Sequence, residues 1–271
     1  MDDSREPQWI YHYRNHHVID GDRWQHYTVR DGDIIVATAY KSGTTWMRTI
    51  VANLLFPSGA FPQPLVAMCP WVDTRPPPLA PMLATLEAQT HRRAVKTHLP
   101  LDGLPYFQEA FYIVVGRDPR DAFVSLANHF RSFTPSALDR FRALDAQVGR
   151  PFPDNDVSLE AMWERWLTDS WFDWESDGYP YWSHLRHFAT WWRYRHLPNL
   201  LFVHFDDLLS APEAEVRRVA RFLGISIDEE AFPGLMDRIS FAGMRRDFDR
   251  INPDAPAIWA NGAKSFLHKG T

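Results

Sequence analysis

Residues 41–46 (KSGTTW) have the composition of an anion-binding turn. They follow an apolar run and precede a helical pattern, so successive backbone N–H groups would converge where the helix dipole is positive. Lys41 adds a positive charge, and Thr44 and Thr45 add hydroxyl donors. A strand–helix connection with a surface lysine is the alternative, but the strand–turn–helix context favours phosphate binding.

The turn is not a Walker A loop. That motif places its lysine after the last glycine and uses the next Ser or Thr to hold magnesium. Here Lys41 precedes Gly43, and no Gly-Lys-Ser/Thr occurs in the turn. We therefore expect phosphate binding without a metal ion.

His98 is a candidate general base. It follows a short apolar run, and α/β sheets place their reacting groups after the carboxyl ends of strands. Histidine titrates near neutral pH and can accept the proton of an attacking hydroxyl. Most of the 12 histidines must be structural or solvated, so the position of His98 alone is a weak signal.

Arg117 and Ser125 form a candidate site for a second phosphate. Ser125 lies eight residues after Arg117, within a predicted helix, so its side chain can face back toward the end of the preceding strand. Arginine offers a planar fork for phosphate, and serine adds a hydroxyl donor. A capped helix with an incidental Asp–Arg pair explains this spacing almost as well.

Together these segments resemble the cytosolic sulfotransferase family. KSGTTW is similar to that family's 5′-phosphosulfate-binding loop, although Ala39-Tyr40 stands where Tyr-Pro is typical. KTHLP at residues 96–100 resembles the catalytic-histidine motif, and the arginine–serine pair resembles the 3′-phosphate site. The resemblance implies a P-loop-like fold and 3′-phosphoadenosine 5′-phosphosulfate (PAPS) as the sulfuryl donor, without a metal.

The resemblance also implies a role for each matching residue. The turn would hold the 5′-phosphosulfate, and Arg117 and Ser125 would hold the 3′-phosphate. His98 would be the general base, and Lys41 and Lys96 would neutralise the oxygens of the transferred group. Trp46 would stack on adenine, although a tryptophan in a first helical turn fits a core position equally well. The turn residues expected to bind the donor are Lys41, Ser42, Gly43, Thr44, Thr45 and Trp46.

The distal half extends the resemblance, especially to bacterial members. Phe241 matches an aromatic residue that touches the nucleotide, whereas Ile239 replaces a threonine and would lose its hydrogen bond. Lys269 and Gly270 match the first part of a segment that closes over the 3′-phosphate. The remainder of that segment would follow Thr271, so either the polypeptide continues or this protein lacks part of the lid.

Short apolar runs alternate with helical patterns along the chain, which indicates a parallel sheet covered on both faces. We therefore predict an α/β fold in a single domain over residues 1–271, with irregular stretches at 57–81 and 149–156. Asp118 and Pro119 are typical of an N-cap and a first helical position. The predicted strands are 33–37, 94–97, 111–115 and 200–205, and the predicted helices are 44–55, 119–130 and 212–223.

Composition restricts the location and the partners. The net charge of -5 gives no general attraction to nucleic acid or an anionic membrane. The single cysteine, Cys69, excludes an intramolecular disulfide, and the polar start MDDSREPQW is not a signal peptide. We expect a cytoplasmic protein without a membrane span or a nucleic-acid partner. The sequence leaves a homodimer open.

The predicted reaction is transfer of a sulfuryl group from PAPS to the hydroxyl of a small acceptor. One rival is a nucleoside or nucleotide kinase, which would need magnesium and ATP, and the missing Gly-Lys-Ser/Thr speaks against it. Another is a non-catalytic module that senses adenosine 3′,5′-bisphosphate (PAP). Such a module would need Arg117 and Ser125 but not His98.

A tryptophan-rich stretch bears on the acceptor. Ordinary helix packing explains it as well as an apolar acceptor pocket does. We expect a hydrophobic or aromatic acceptor, while phenols, aliphatic alcohols, amines and sugars stay open. Trp191 and Trp192 are predicted to lie in the core. The tryptophans available for a pocket wall are Trp163, Trp166, Trp171, Trp174 and Trp182.

Overall fold

The computed structural model describes residues 6–260 and residue 262. Within that part of the chain a four-stranded sheet has the order β2-β1-β3-β4, and all three strand pairs are parallel. Each strand agrees with its predicted range to within one residue at either end. The strands are β1 (Ile34–Thr38), β2 (Ala94–Thr97), β3 (Phe111–Gly116) and β4 (Leu200–His204).

Helices connect and cover the strands, as predicted for an α/β fold. In the first half they are α1 (Thr44–Leu55), α2 (Leu65–Met68), α3 (Leu79–Glu87), α4 (Pro119–Arg131), α5 (Pro135–Arg142) and α6 (Asp145–Val148). In the second half they are α7 (Leu159–Thr168), α8 (His184–Arg193), α9 (Phe205–Ser210), α10 (Pro212–Phe222), α11 (Phe232–Ile239), α12 (Phe241–Arg246), α13 (Phe248–Ile251) and α14 (Ala255–Ile258). No helix among the described residues has both the length and the apolar character that a bilayer span requires.

The sheet divides the core into two apolar clusters, one on each face. Successive strand residues point to opposite faces, so Ile35 and Ala37 lie in one cluster, and Ile34 and Val36 in the other. All five residues of β1 are buried, as expected for a central strand with helices on both sides.

The parallel register brings the carboxyl ends of the strands to one edge. Ala37 of β1 pairs with Thr97 of β2, Thr38 pairs with Val115 of β3, and Gly116 pairs with His204 of β4. The segments that follow these strands therefore start close together. This edge receives the turn at residues 41–46, His98, Arg117 and Phe205.

Helix α4 begins as its sequence predicts. The side chain of Asp118 accepts a hydrogen bond from the backbone N–H of Arg120 at 2.8 Å, and Pro119 occupies the first helical position. A carboxylate at this position also interacts favourably with the helix dipole. The cap sets the point at which the chain turns away from β3, one residue after Arg117.

The stretch at residues 57–81 is more regular than predicted. It contains α2, which starts after Pro64, and the first turn of α3, which starts after Pro78. Proline fits a helix start because no intrahelical partner awaits its missing N–H group. Residues 149–156 contain neither helix nor strand, in agreement with the sequence.

The prediction that Trp191 and Trp192 both lie in the core is wrong for Trp192. Trp191 is fully buried, whereas Trp192 is 47% exposed and stacks on Phe188. Adjacent residues on a helix point in directions about 100° apart, so α8 cannot direct both rings into the same core. Of the five tryptophans considered for a pocket wall, Trp166, Trp171 and Trp182 are buried.

A buried ion pair joins the start of β1 to the start of β2. The Nε of Arg93 donates to Oδ1 of Asp33 at 3.0 Å, and the hydroxyl of Tyr27 donates to Oδ2 of the same carboxylate at 2.6 Å. Both charged side chains are almost completely buried. Removing one partner would leave the other charge buried and uncompensated.

We predict that Arg93→Met lowers the free energy of unfolding by about 3–5 kcal/mol, because Asp33 would keep a buried charge without its partner. Urea unfolding followed by circular dichroism measures the change. Arg246→Met is the control, since Arg246 forms an exposed pair with Asp237 and should leave the midpoint nearly unchanged. Equal midpoints for wild type and Arg93→Met would contradict the prediction.

Candidate active site

The turn after β1 is tight and contains two residues with left-handed backbone conformations. Lys41 and Gly43 both adopt left-handed conformations, with φ angles of 63° and 96°. A non-glycine residue with positive φ is uncommon and concentrates at functional sites. A Cβ at position 43 would lie 2.9 Å from the ring of Phe205, so glycine is required there both for its φ and for space.

The side chains of the turn contact residues of β1 and of α8. The hydroxyl of Ser42 lies 3.1 Å from Nε2 of His184, and the Thr44 hydroxyl lies 2.6 Å from that of Thr38. Thr45 follows in the first turn of α1 and is partly exposed. Thr38 of β1 and His184 of α8 therefore both hold side chains of the turn in place.

Lys41 is a desolvated cation. Its Nζ lies 3.3 Å from Nδ1 of His129 on α4. Burial, together with the nearby charge of Arg117, lowers the pKa of Lys41 to about 8. An anion in the turn would favour the charged form and raise this pKa.

Trp46 packs edge-to-face on Phe205, with 5.5 Å between the ring centroids. Its indole N–H is buried and has no hydrogen-bond partner among the described residues. The ring is partly exposed, which leaves room for one face to contact a ligand.

The unusual Ala39-Tyr40 before the turn has a packing role. Tyr40 is buried, and its hydroxyl accepts a hydrogen bond of 2.8 Å from the indole of Trp166 on α7. A proline at position 40 could not make this contact. Tyr40, which replaces the proline of the usual motif, thus joins the turn to the distal half of the chain.

His98 is held in a single tautomer by β1. Its Nδ1 lies 2.9 Å from the carbonyl oxygen of Thr38, which can only accept, so we assign the ring proton to Nδ1. The other nitrogen, Nε2, lies 3.5 Å from Nζ of Lys96. Burial first, and then the charge of Lys96, holds the pKa of His98 well below its usual value. His98 is therefore neutral, with a lone pair on Nε2 that can accept a proton.

Two tryptophans and Lys96 surround His98. The indole of Trp182 donates to the carbonyl oxygen of His98 at 2.7 Å, and the ring of Trp71 packs edge-to-face at 4.7 Å. Nζ of Lys96 lies 4.4 Å from the centre of the Trp71 ring. Burial, followed by the charge of Arg48, lowers the pKa of Lys96 to about 7.

Arg117 lies beside the turn at the end of β3. One of its terminal nitrogens donates to the carbonyl oxygen of Lys41 at 3.1 Å, and its guanidinium stacks over Phe205 at 4.3 Å. Its Nε is buried without a partner among the described residues. Partial burial lowers the pKa of Arg117, so the site holds a partly buried, incompletely paired cation.

The structure gives fewer contacts between the remaining predicted site residues and the turn, His98 or Arg117. Ser125 lies within α4, the helix predicted to contain it, and is partly exposed. Phe241 begins α12, and its ring faces Arg245 at 5.6 Å. The described contacts do not bring Phe241 to the turn. Lys269 and Gly270 lie outside the described residues.

Several residues of the site carried no signal in the sequence. They supply hydrogen-bond partners and ring surfaces from distant segments, and no local pattern identifies them. Thr38 could have been found from its place at the last position of β1. The residues without any signal are Trp71, His129, His184 and Phe205. Trp182, a candidate for the pocket wall, instead donates to the carbonyl oxygen of His98. Within residues 6–260 and 262, no three His, Cys, Asp or Glu side chains are grouped as metal ligands.

The chain matches a known protein family over most of its length. The family model described as "Sulfotransferase domain" matches residues 31–271. This range includes the turn, His98, Arg117 and the distal half.

Relatives at the sequence level include bacterial and mammalian sulfotransferases. A "Glycolipid sulfotransferase" of Mycobacterium bovis is 34% identical over 273 residues, covering 94% of this chain and 82% of the relative. "Sulfotransferase 1A1" of Rattus norvegicus is 27% identical over 255 residues, covering 91% of this chain and 79% of the relative.

Solved structures share the fold. Retinol dehydratase in complex with androsterone and inactive cofactor PAP has a TM-score of 0.69 at 22% identity, covering 92% of this chain and 76% of that one. Mouse sulfotransferase SULT7A1 complexed with PAP has a TM-score of 0.67 at 19% identity, covering 93% and 78%. These similarities confirm the predicted P-loop-like parallel sheet flanked by helices.

Proposed function

Because this chain belongs to the sulfotransferase family and is a PAPS-dependent transferase, we propose that His98 is the general base of sulfuryl transfer to an acceptor hydroxyl. One observation carries the proposal. His98 is neutral, its Nδ1 proton is engaged by Thr38, and its Nε2 lone pair lies beside Lys96. A neutral histidine protonated on Nδ1 can accept the acceptor's proton on Nε2 without first losing a proton.

The proposed reaction is an in-line displacement. The acceptor oxygen bonds to sulfur while its proton moves to Nε2 of His98. The bond between sulfur and the 5′-phosphate oxygen breaks, which leaves PAP as the second product. Negative charge increases on the leaving oxygen, where Lys41 and the backbone N–H groups of the turn would stabilise it.

Two features of the described residues fit an anionic nucleotide. The site already holds two partly buried cations, Lys41 and Arg117, and an anion would offset the cost of their partial burial. The partnerless Nε of Arg117 and the partly exposed ring of Trp46 offer a donor and a stacking surface. We assign the 3′-phosphate to Arg117 and Ser125, and the adenine to Trp46 with Phe241.

The rivals lack comparable support. A kinase would use a metal-holding Ser or Thr after a loop lysine, an arrangement that the turn does not have. A module that only senses PAP would have no use for a base whose tautomer is held by a hydrogen bond to β1. The His98 geometry therefore favours an enzyme over a binding module.

For the acceptor, we propose a hydrophobic or aromatic molecule that carries a hydroxyl. The partly exposed ring of Trp71 packs edge-to-face on His98, and flat or apolar surfaces pack favourably on such a ring, whereas Trp182 is buried. Trp171 and Trp174 instead pack against the N-terminal segment, where they contact Asn15 and Tyr11. The proposed acceptor wall is therefore smaller than the whole tryptophan-rich stretch.

An acceptor panel tests this proposal. With radiolabelled PAPS as donor, we expect kcat/KM to be higher for phenols and long-chain alcohols than for amines and monosaccharides, because sugars need many paired polar groups. Trp171→Ala should leave the order of preference unchanged, since its indole bonds to Asn15. A clear preference for the monosaccharide would contradict the proposal.

His98→Ala should reduce kcat by about 10²–10⁴-fold, the usual contribution of a general base. The affinity for PAP should stay within a few-fold, because the nucleotide is assigned to the turn and to Arg117. Turnover assays and calorimetry with PAP measure the two quantities. His196→Ala, at an exposed histidine, is the control and should keep full activity. Retained turnover in His98→Ala would show that its role is structural.

Arg117→Ala should weaken the binding of PAP by about 1.5–3 kcal/mol, because a charge-assisted hydrogen bond to the 3′-phosphate is lost. Adenosine 5′-phosphosulfate, which has no 3′-phosphate, should lose much less affinity. Calorimetry with both ligands makes the comparison, with Arg120→Ala, an exposed arginine paired with Asp118, as the control. An equal loss for both ligands would refute the assignment.

A further inference from the structure

The turn after β1 has a backbone conformation that needs support from its surroundings. Lys41 and Gly43 both have positive φ angles, and Ser42 lies between them. A positive φ at a residue other than glycine is unfavourable and persists only where surrounding contacts hold it. The carbonyl oxygen of Lys41 accepts a hydrogen bond of 3.1 Å from Arg117, and the backbone N–H of Ser42 donates to the carbonyl oxygen of Ala39 at 3.3 Å. The side chain of Ser42 makes a further contact.

The side chain of Ser42 is completely buried and contacts a histidine of the distal half. Its Oγ lies 3.1 Å from Nε2 of His184, the first residue of α8, and His184 is buried as well. Burial, followed by the charge of Arg117, lowers the pKa of His184 to about 4, so this histidine is neutral near pH 7. A neutral imidazole cannot neutralise a phosphate. Its effect on a bound anion therefore has to pass through the shape of the turn.

The start of α8 is itself fixed by hydrogen bonds. The backbone N–H of Ser183 donates to Oε2 of Glu175 at 2.9 Å, and the hydroxyl of Ser183 donates to Oδ1 of Asp177 at 2.8 Å. Ser183 also caps the helix, because its hydroxyl accepts from a backbone N–H of the first turn. His184 thus reaches the turn from an anchored helix end, which allows it to restrain Ser42.

The other contacts of the turn lie at its two ends. Tyr40, before the turn, accepts a hydrogen bond from Trp166, and the hydroxyl of Thr44, at the start of α1, contacts that of Thr38. Neither contact acts on the residue between the two left-handed positions. Among the described contacts, His184 supplies the side-chain hydrogen bond at that residue.

We propose that His184 is a positioning residue whose hydrogen bond with Ser42 holds the turn, before the nucleotide binds, in the conformation that directs its backbone N–H groups at the 5′-phosphate of the donor. The inference rests on the proposed function, in which these N–H groups stabilise the leaving phosphate oxygen. His184 acts through Ser42 and makes no contact of its own with the nucleotide. A turn that already has its binding conformation avoids the loss of entropy that ordering it on binding would cost.

His184→Phe tests the proposal because it keeps a buried ring and removes the hydrogen bond. We expect the affinity for PAP, measured by calorimetry, to fall about tenfold, because the buried hydroxyl of Ser42 loses its partner and the turn loses a contact. Adenosine 5′-phosphosulfate should lose the same factor. Adenosine 3′-monophosphate, which has no 5′-phosphate, should bind as it does to wild type. Unchanged affinity for PAP, or an equal loss for all three ligands, would overturn the proposal.

His184→Gln is the conservative variant. Its amide can donate or accept a hydrogen bond near the position of Nε2, so it should retain most of the affinity that His184→Phe loses. Ser42→Ala removes the other partner of the same hydrogen bond. The double variant Ser42→Ala/His184→Phe should therefore bind PAP no more weakly than either single variant. Losses that add in the double variant would refute the coupling between the two residues.

His187→Phe is the matched control. His187 lies three residues later on α8 and is also buried, and its Nε2 has no hydrogen-bond partner among the described residues. The substitution removes a buried imidazole from the same helix, and the described contacts do not join His187 to the turn. The affinity for PAP should stay within a few-fold. A loss as large as that of His184→Phe would show that any change in the packing of α8 has this effect, which contradicts the proposal.

A second measurement needs neither ligand nor turnover. In the free protein, hydrogen exchange of the peptide over residues 39–47 should be faster in His184→Phe and in Ser42→Ala than in wild type, because the turn opens more often. Ser42→Ala serves if His184→Phe does not fold. Unchanged exchange in the folded variants would refute the role of His184. Faster exchange and weaker PAP binding in these variants, together with full turnover in His98→Ala, would support that role and refute the proposed function.

Discussion

The register of the parallel sheet is the constraint on which the site depends. β1 is central, and its pairing with β2 and β3 aligns the last residues of three strands at one edge. The turn at residues 41–46 follows β1, His98 follows β2 and Arg117 follows β3, all at this edge. The hydrogen bond from His98 to Thr38 crosses between two of these strands. A shift of one residue in that pairing would turn each side chain to the opposite face and separate the base from the turn.

Lys41, Lys96 and His98 are also shielded from water to different degrees. Burial is the largest influence on the pKa values of Lys41, Lys96 and His98, and it lowers all three. Burial keeps His98 neutral, and it makes the ammonium forms of Lys41 and Lys96 less favourable. An anionic nucleotide in the turn would favour the charged forms of the lysines. In the proposed reaction, burial therefore leaves His98 neutral and makes the charge of the lysines depend on the bound anion.

The distal half of the chain stabilises the site from outside. Trp182 holds the backbone of His98, His184 contacts Ser42, and Trp166 bonds to Tyr40. Phe205 contributes its ring to Arg117 and to Trp46. Part of the tryptophan-rich stretch therefore supports the turn and His98, and another part packs against the N-terminal segment. Aromatic residues suit this task because one side chain combines a large apolar area with a directed hydrogen bond.

The sequence alone determined the features that depend on neighbouring residues. Apolar runs predicted the four strands, the KSGTTW turn and α1 followed from local composition, and Asp118-Pro119 predicted the start of α4. Tertiary structure decided everything that depends on residues far apart in the chain. The tautomer of His98 depends on Thr38, the environment of Lys96 depends on Trp71, and the exposure of Trp192 depends on how α8 packs. Local patterns predict backbone geometry because they reflect steric and hydrogen-bonding preferences within a few residues, whereas burial and electrostatic partners exist only after the sheet has brought distant segments together.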